Sequence, residues 1–258
     1  MTDIETWREE RRRSVTDFQG DLALTGLYTI YEPMRIEGVP GLWSPKPAGE
    51  QGLTLTAEPE DGITLDGQPV HGAVSLEPDH TVVRFSKAVT AVATTQPGSD
   101  HLLAVYDAEA EAIRLFEGIA NFPYNPDWVI EGEFVGNDEE RTVAFAHVDD
   151  EEGKLRYHQS PGDIAFTWGG AAYKMTPFVS AGSLILVFAD ATNGQTTYKL
   201  GRMLVVTRGE NGKAVLDFNK SFLPPCAFSP HFNCPFPPRQ NRLPFEVKAG
   251  EQQVLTRE

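Results

Sequence analysis

The chain has 258 residues, a formal net charge of −15, and 40% hydrophobic residues including 15 Phe and 4 Trp. That charge argues against binding to phosphate backbones, which needs clustered Lys and Arg, and against docking on anionic lipid. It reads as solubility or a salt-tolerant host, and the apolar content suffices for one large β domain or two small ones.

The first twenty residues carry Glu9, Glu10, Arg11, Arg12 and Arg13 and lack the apolar core of an export signal. Thr2 followed by Glu5 forms a capping box, and Ile4, Trp7, Arg11, Val15 and Phe18 share one helical face. The spacing predicts an amphipathic helix over 3–16 that covers a sheet or barrel end. From there the period changes to two. Residues 22–31, 53–57, 63–65, 73–76, 82–92, 102–107 and 113–117 read as strands, with Asp61-Gly62 and Asp66-Gly67 as turns. Pro33, Pro40, Pro45 and Pro47 mark an extended loop between the first two strands.

Residues 121–126, Asn-Phe-Pro-Tyr-Asn-Pro, form a second punctuated connection. Strands are expected again at 128–135, 141–148, 163–168, 172–176, 184–188, 197–207 and 214–218. The acidic stretches at 138–140 and 149–152 read as solvated loop tips. The strands follow one another without helical crossovers, so antiparallel sheets are expected. The expected fold is mainly β: an antiparallel β-sandwich or open β-barrel with an N-terminal amphipathic helix and a Pro-rich C-terminal wrapping segment. A single domain over 1–258 is expected, with two halves, 1–121 and 127–258, as the alternative. The longest apolar run, 183–189, has strand length rather than the roughly 18 residues of a membrane span. Two cysteines do not make a disulfide framework, so a reducing cytoplasm is the expected compartment.

The final third has a distinct order. Asp190, Thr197-Tyr198 and Gly201-Arg202 are followed by Asp217-Phe218-Asn219 and Pro224-Pro225-Cys226-Ala227. Then come Cys234-Pro235-Phe236-Pro237-Pro238-Arg239-Gln240-Asn241-Arg242-Leu243-Pro244 and the closing Ala249-Gly250-Glu251. This order closely resembles the prokaryotic domain-of-unknown-function family 1684, specifically from about 182 to 251 and more loosely upstream. The family usually has Glu where Gln240 stands; if that carboxylate is a catalytic base, this chain lacks it. The resemblance implies no established activity.

Arg202 enters an apolar strand beside Gly201, and a buried guanidinium needs partners. Asp190 and Tyr198 are placed to supply them, which gives either a structural network or an anion clamp. Asn241 and Arg242, leaving the Pro-rich segment, are expected to project towards the same place. The convergence of Asp190, Tyr198, Arg202, Asn241 and Arg242 makes a site for a small anionic or amphipathic ligand the first reading. An enzyme acting on a small anionic substrate through Asp190, Tyr198 and Arg202 is the second, and a fold-locking clasp the third. Cys226, His231 and Cys234 are candidate metal ligands in an unusual C-x4-H-x2-C spacing, with Asp217 or His158 as a fourth. A disulfide or a pair of packed thiols competes with that reading, and the packed thiols are preferred over a metal site. No G-x-S-x-G, P-loop or H-E-x-x-H motif is present, so no catalytic residue or cofactor follows, and the oligomeric state is left open.

Overall fold

The structure is a computed structural model that describes residues 2–136 and 138–257. It is mainly β, its sheets are antiparallel, and it opens with an N-terminal helix. The chain divides into two compact units, residues 13–115 and residues 1–12 with 116–258.

Helix α1 spans Asp3–Val15. The capping box forms as the sequence indicates: the Thr2 amide donates to Glu5 Oε2 at 2.8 Å and the Glu5 amide to Thr2 Oγ1 at 3.4 Å.

In the unit 13–115 the strands are β1 (Leu24–Thr29), β2 (Met34–Ile36), β3 (Val39–Pro45), β4 (Leu53–Ala57) and β5 (Thr64–Leu65). They continue as β6 (Gln68–Pro69), β7 (Gly72–Leu76), β8 (Val82–Arg84), β9 (Val89–Gln96) and β10 (Ser99–Asp107). A short helix α2, Glu111–Leu115, closes the unit where the sequence suggests a strand. The strands form a six-stranded sheet, β1-β10-β9-β8-β5-β6, and a four-stranded sheet, β2-β3-β4-β7. Alternation on β4, with Leu53, Leu55 and Ala57 buried, feeds a core centred on Trp43, which is fully buried. The proline-marked loop at 33–47 is largely the β2–β3 hairpin. Its ladder skips between Met34↔Trp43 and Ile36↔Val39, so Pro40 and Gly41 lie in a bulge where the missing N–H is tolerated.

The larger unit holds β11 (Phe116–Asn121), β12 (Val129–Val135), β13 (Thr142–Phe145), β14 (Arg156–Gln159), β15 (Asp163–Trp168) and β16 (Ala171–Met175). After these come β17 (Phe178–Ser180), β18 (Ser183–Phe188), β19 (Arg202–Arg208), β20 (Lys213–Asp217) and β21 (Glu251–Thr256). Seven strands form one sheet, β16-β15-β12-β20-β19-β18-β17; β11 pairs with β21, and β13 with β14. Strand β18 is buried on both faces, which explains its continuous apolar run. Leu184, Leu186 and Phe188 join the main core with Trp128, Phe218, Leu243, Val247 and Ala249, while Ile185 and Val187 pack with Phe145 and Phe178. Trp128 stacks on Trp168 with centroids 4.4 Å apart. No helix among the described residues is long and apolar enough to cross a membrane.

Candidate functional site

The C-terminal segment has almost no regular structure before β21, because Pro235, Pro237 and Pro238 cannot donate to a ladder. It is held instead by individual bonds to the end of β18. The Ala189 amide donates to the Asn241 carbonyl at 3.1 Å, the Leu243 amide to the Ala189 carbonyl at 2.8 Å, and the Ala191 amide to the Phe245 carbonyl at 3.1 Å. This run delivers the Val247, Ala249 and Glu251 carbonyls to the start of β19.

Arg202 begins β19 opposite Phe188. Gly201 precedes it at φ +101°, and a Cβ there would collide with the Phe188 carbonyl oxygen, so only glycine turns the chain inward at this point. The Arg202 side chain is 0% exposed. One terminal nitrogen donates to Asp190 Oδ2 at 2.8 Å and to the Val247 carbonyl at 2.8 Å. The other donates to the carbonyls of Ala249 and Glu251. The guanidinium also lies over the Phe188 ring, 5.3 Å from its centroid. Burial lowers its pKa, and Asp190 followed by Glu251 opposes that shift.

Asp190 is equally enclosed. Its Oδ1 accepts from the Thr192 amide at 2.8 Å, the Thr192 hydroxyl at 2.6 Å and the Val247 amide at 3.2 Å. Asn241 is 0% exposed: its Oδ1 accepts from the Thr176 amide at 2.7 Å, and its amide nitrogen donates to the Thr176 and Val187 carbonyls at 2.9 Å each.

Two of the five sequence-indicated residues turn elsewhere. The Tyr198 hydroxyl donates to the Cys226 carbonyl at 2.9 Å, and burial raises its pKa, so it stays protonated. Arg242 is exposed, and its Nε donates to the Pro237 carbonyl at 3.1 Å. The structure thus joins Asp190 directly to Arg202 and ties in Asn241 through the backbone at Ala189. Gln240 donates to the Thr176 hydroxyl at 3.2 Å.

Cys226 and Cys234 lie together: the Cys226 amide donates to Cys234 Sγ at 3.4 Å. His231 is exposed, and its amide donates to Ser229 Oγ. Among the described residues no group of three or more His, Cys, Asp or Glu side chains is arranged to hold a metal ion.

Sequence reasoning missed a second polar cluster. Asp150, read as part of a solvated loop tip, has its side chain only 5% exposed and takes Arg156 through both oxygens at 2.6 and 2.7 Å. Asn233 donates to Asp150 at 3.0 Å; Arg156, then Asn233, hold the carboxyl well below its ordinary range against the cost of burial. Beside this pair, His147 and His158 stack with ring centroids 5.2 Å apart and planes 8° apart. Desolvation lowers both imidazoles, His158 to about 4. Glu251, at the close of the C-terminal block, is 1% exposed, pairs with Arg11 at 3.3 Å and accepts from the Leu223 amide at 2.7 Å. The charge of Glu251 beside Gly250 was a readable signal; the burial of Asp150 was not.

Fold and site together define an antiparallel β protein whose irregular, proline-rich C-terminal segment is fastened by a buried Asp–Arg network. The chain belongs to the family described as Protein of unknown function (DUF1684), which matches residues 114–252, all but the first two of them in the larger unit. Among solved structures it is similar to an uncharacterized protein of Haloarcula marismortui determined by solution NMR, at 26% identity. That match covers 53% of this chain and 77% of the other, with a TM-score of 0.43. Comparison with curated proteins found no match.

Proposed function

We propose that the block from 226 to 251 is an internal clasp, and that the protein serves as a structural β-scaffold rather than as an Arg202-centred binder or enzyme. The observation that carries this reading is the engagement of both Arg202 terminal nitrogens by protein oxygen. The side chain has no exposure, and both terminal nitrogens are spent on Asp190 and three backbone carbonyls. A clamp for a small anionic or amphipathic ligand needs those donors turned to the ligand, and each is already aimed at protein oxygen. An enzyme acting through Asp190, Tyr198 and Arg202 needs a group poised to exchange protons. Tyr198 is pushed away from that state, and Asp190 is engaged by Arg202 and Thr192. The net charge of −15 supports a role without nucleic acid or anionic membrane, and the sparse cysteines support a cytoplasmic setting.

Native mass spectrometry of the purified chain tests the reading. The expected result is protein free of any stoichiometric small anion, both for wild type and for Arg202→Lys. An anionic ligand carried by wild type and lost from folded Arg202→Lys would overturn it.

A further inference from the structure

We infer that Cys226 and Cys234 form a reversible thiol–disulfide site, with Cys226 the attacking thiol and Cys234 the resolving one. The two residues are eight positions apart in a segment without strands, yet the fold holds them in contact: the Cys226 amide reaches Cys234 Sγ at 3.4 Å. The proximity of Cys234, and after it of Tyr198, lowers the Cys226 thiol pKa against the opposing effect of burial.

Both ends are anchored independently of the sulfurs. Tyr198 fastens the Cys226 carbonyl at 2.9 Å. The Cys234 carbonyl accepts from the Val148 amide at 3.1 Å, and the Phe236 amide donates to the Ala146 carbonyl at 2.8 Å. Bringing two thiols together by the surrounding fold removes most of the entropy that closing a bridge otherwise costs. Exposure assigns the roles. Cys226 is partly accessible, whereas Cys234 is only 7% exposed.

The oxidant is a low-molecular-weight disulfide. The Cys226 thiolate attacks one of its sulfurs, the small disulfide bond breaks, and one thiolate leaves with a mixed disulfide on Cys226. The Cys234 thiolate then attacks Cys226 Sγ, closing the protein bridge and expelling the second small thiolate. The two protons lost by the cysteines are taken up by the two departing thiolates. Two electrons pass from the protein pair to the small disulfide, and excess small thiol reverses both steps.

The test equilibrates the full chain in buffers of increasing small-disulfide to thiol ratio, quenches by acid alkylation and reads the intact mass and peptide linkage. Circular dichroism monitors the fold in parallel. Wild type is expected to lose two hydrogens in a single two-electron transition, with the link between the Cys226 and Cys234 peptides. Cys234→Ser should accumulate the mixed disulfide on Cys226, while Cys226→Ser should leave Cys234 unmodified. Folded wild type that keeps both thiols at the most oxidising ratio would overturn the inference, as would one that stalls at a mixed disulfide. Such a failure would leave the clasp reading standing, because no partner of Arg202 is a cysteine side chain.

Discussion

At the scale of single residues, the decisive fact is how completely Arg202 and Asp190 depend on each other. Removing one member of a buried pair strands the other charge, which typically costs about 3–5 kcal/mol. Arg202→Met is therefore expected to lower the unfolding free energy by about that amount, because Asp190 and the Val247, Ala249 and Glu251 carbonyls lose their donor. Urea denaturation followed by tryptophan fluorescence measures it. A loss under about 1 kcal/mol, the range of exposed pairs, would mean that Arg202 is not the anchor the geometry makes it. The residue reading from sequence placed partners together where only twelve positions separate them: Asp190 and Arg202 meet across the β18–β19 connection. It did not extend to Tyr198, whose hydroxyl bonds a residue 28 positions away, or to Asp150, whose burial depends on Asn233, 83 positions away. Nothing local distinguishes Asp150 from its solvated neighbours.

At the scale of elements, the β13–β14 hairpin carries a pH response. His158 sits in the fold at about 4, below the ordinary value of 6.5, chiefly through desolvation and then through His147 and Arg156. His147 is lowered too, with desolvation the largest cause. The unfolded chain therefore binds more protons than the folded one between those values, and stability falls as pH drops from about 6.5 towards 4. The Asp150–Arg156 pair does not confound this window, because a lowered carboxylate loses its contribution only once pH falls below its ordinary value of 3.8. Urea midpoints at about pH 7 and about pH 5 should differ for wild type and differ by less for His158→Phe, whose ring takes its place beside Phe145 and Phe178 while His147 keeps its own share of the response. Equal wild-type midpoints at the two pH values would contradict the buried neutral pair. Elements themselves were legible where pattern and punctuation agree, as in α1 with its Thr2–Glu5 box and β4 with its strict alternation. They were misread where a bulge absorbs proline, in β3, and where Glu111–Leu115 turns helical before β11.

At the scale of the whole molecule, two apolar cores lie in separate stretches of chain. Trp43, Leu53, Leu55 and Leu103 belong to one, and Trp128, Phe188, Phe218 and Val247 to the other. Deleting 225–258 removes Leu243, Val247 and Ala249 from the second core and every carbonyl acceptor of Arg202, and leaves the first core's residues in place. Hydrogen exchange on that truncation should show protection lost in β12, β18 and β19 but kept in β9 and β10. Protection retained in β19 would remove the clasp. What the sequence determined by itself is the antiparallel β class, the capped first helix, the family block and the pairing of Asp190 with Arg202. Each is written in periodicity, in turn chemistry or in a spacing of a dozen residues or fewer, except the family block, which is written in its order of residues. Only the tertiary structure decided that the donors of Arg202 end on carbonyls 45 to 49 positions away, that Tyr198 serves Cys226, and that Arg242 faces outward. Those outcomes depend on where an irregular, proline-rich segment comes to rest. Such a segment has no ladder or helical repeat, so its course follows from the partners it meets rather than from its own pattern.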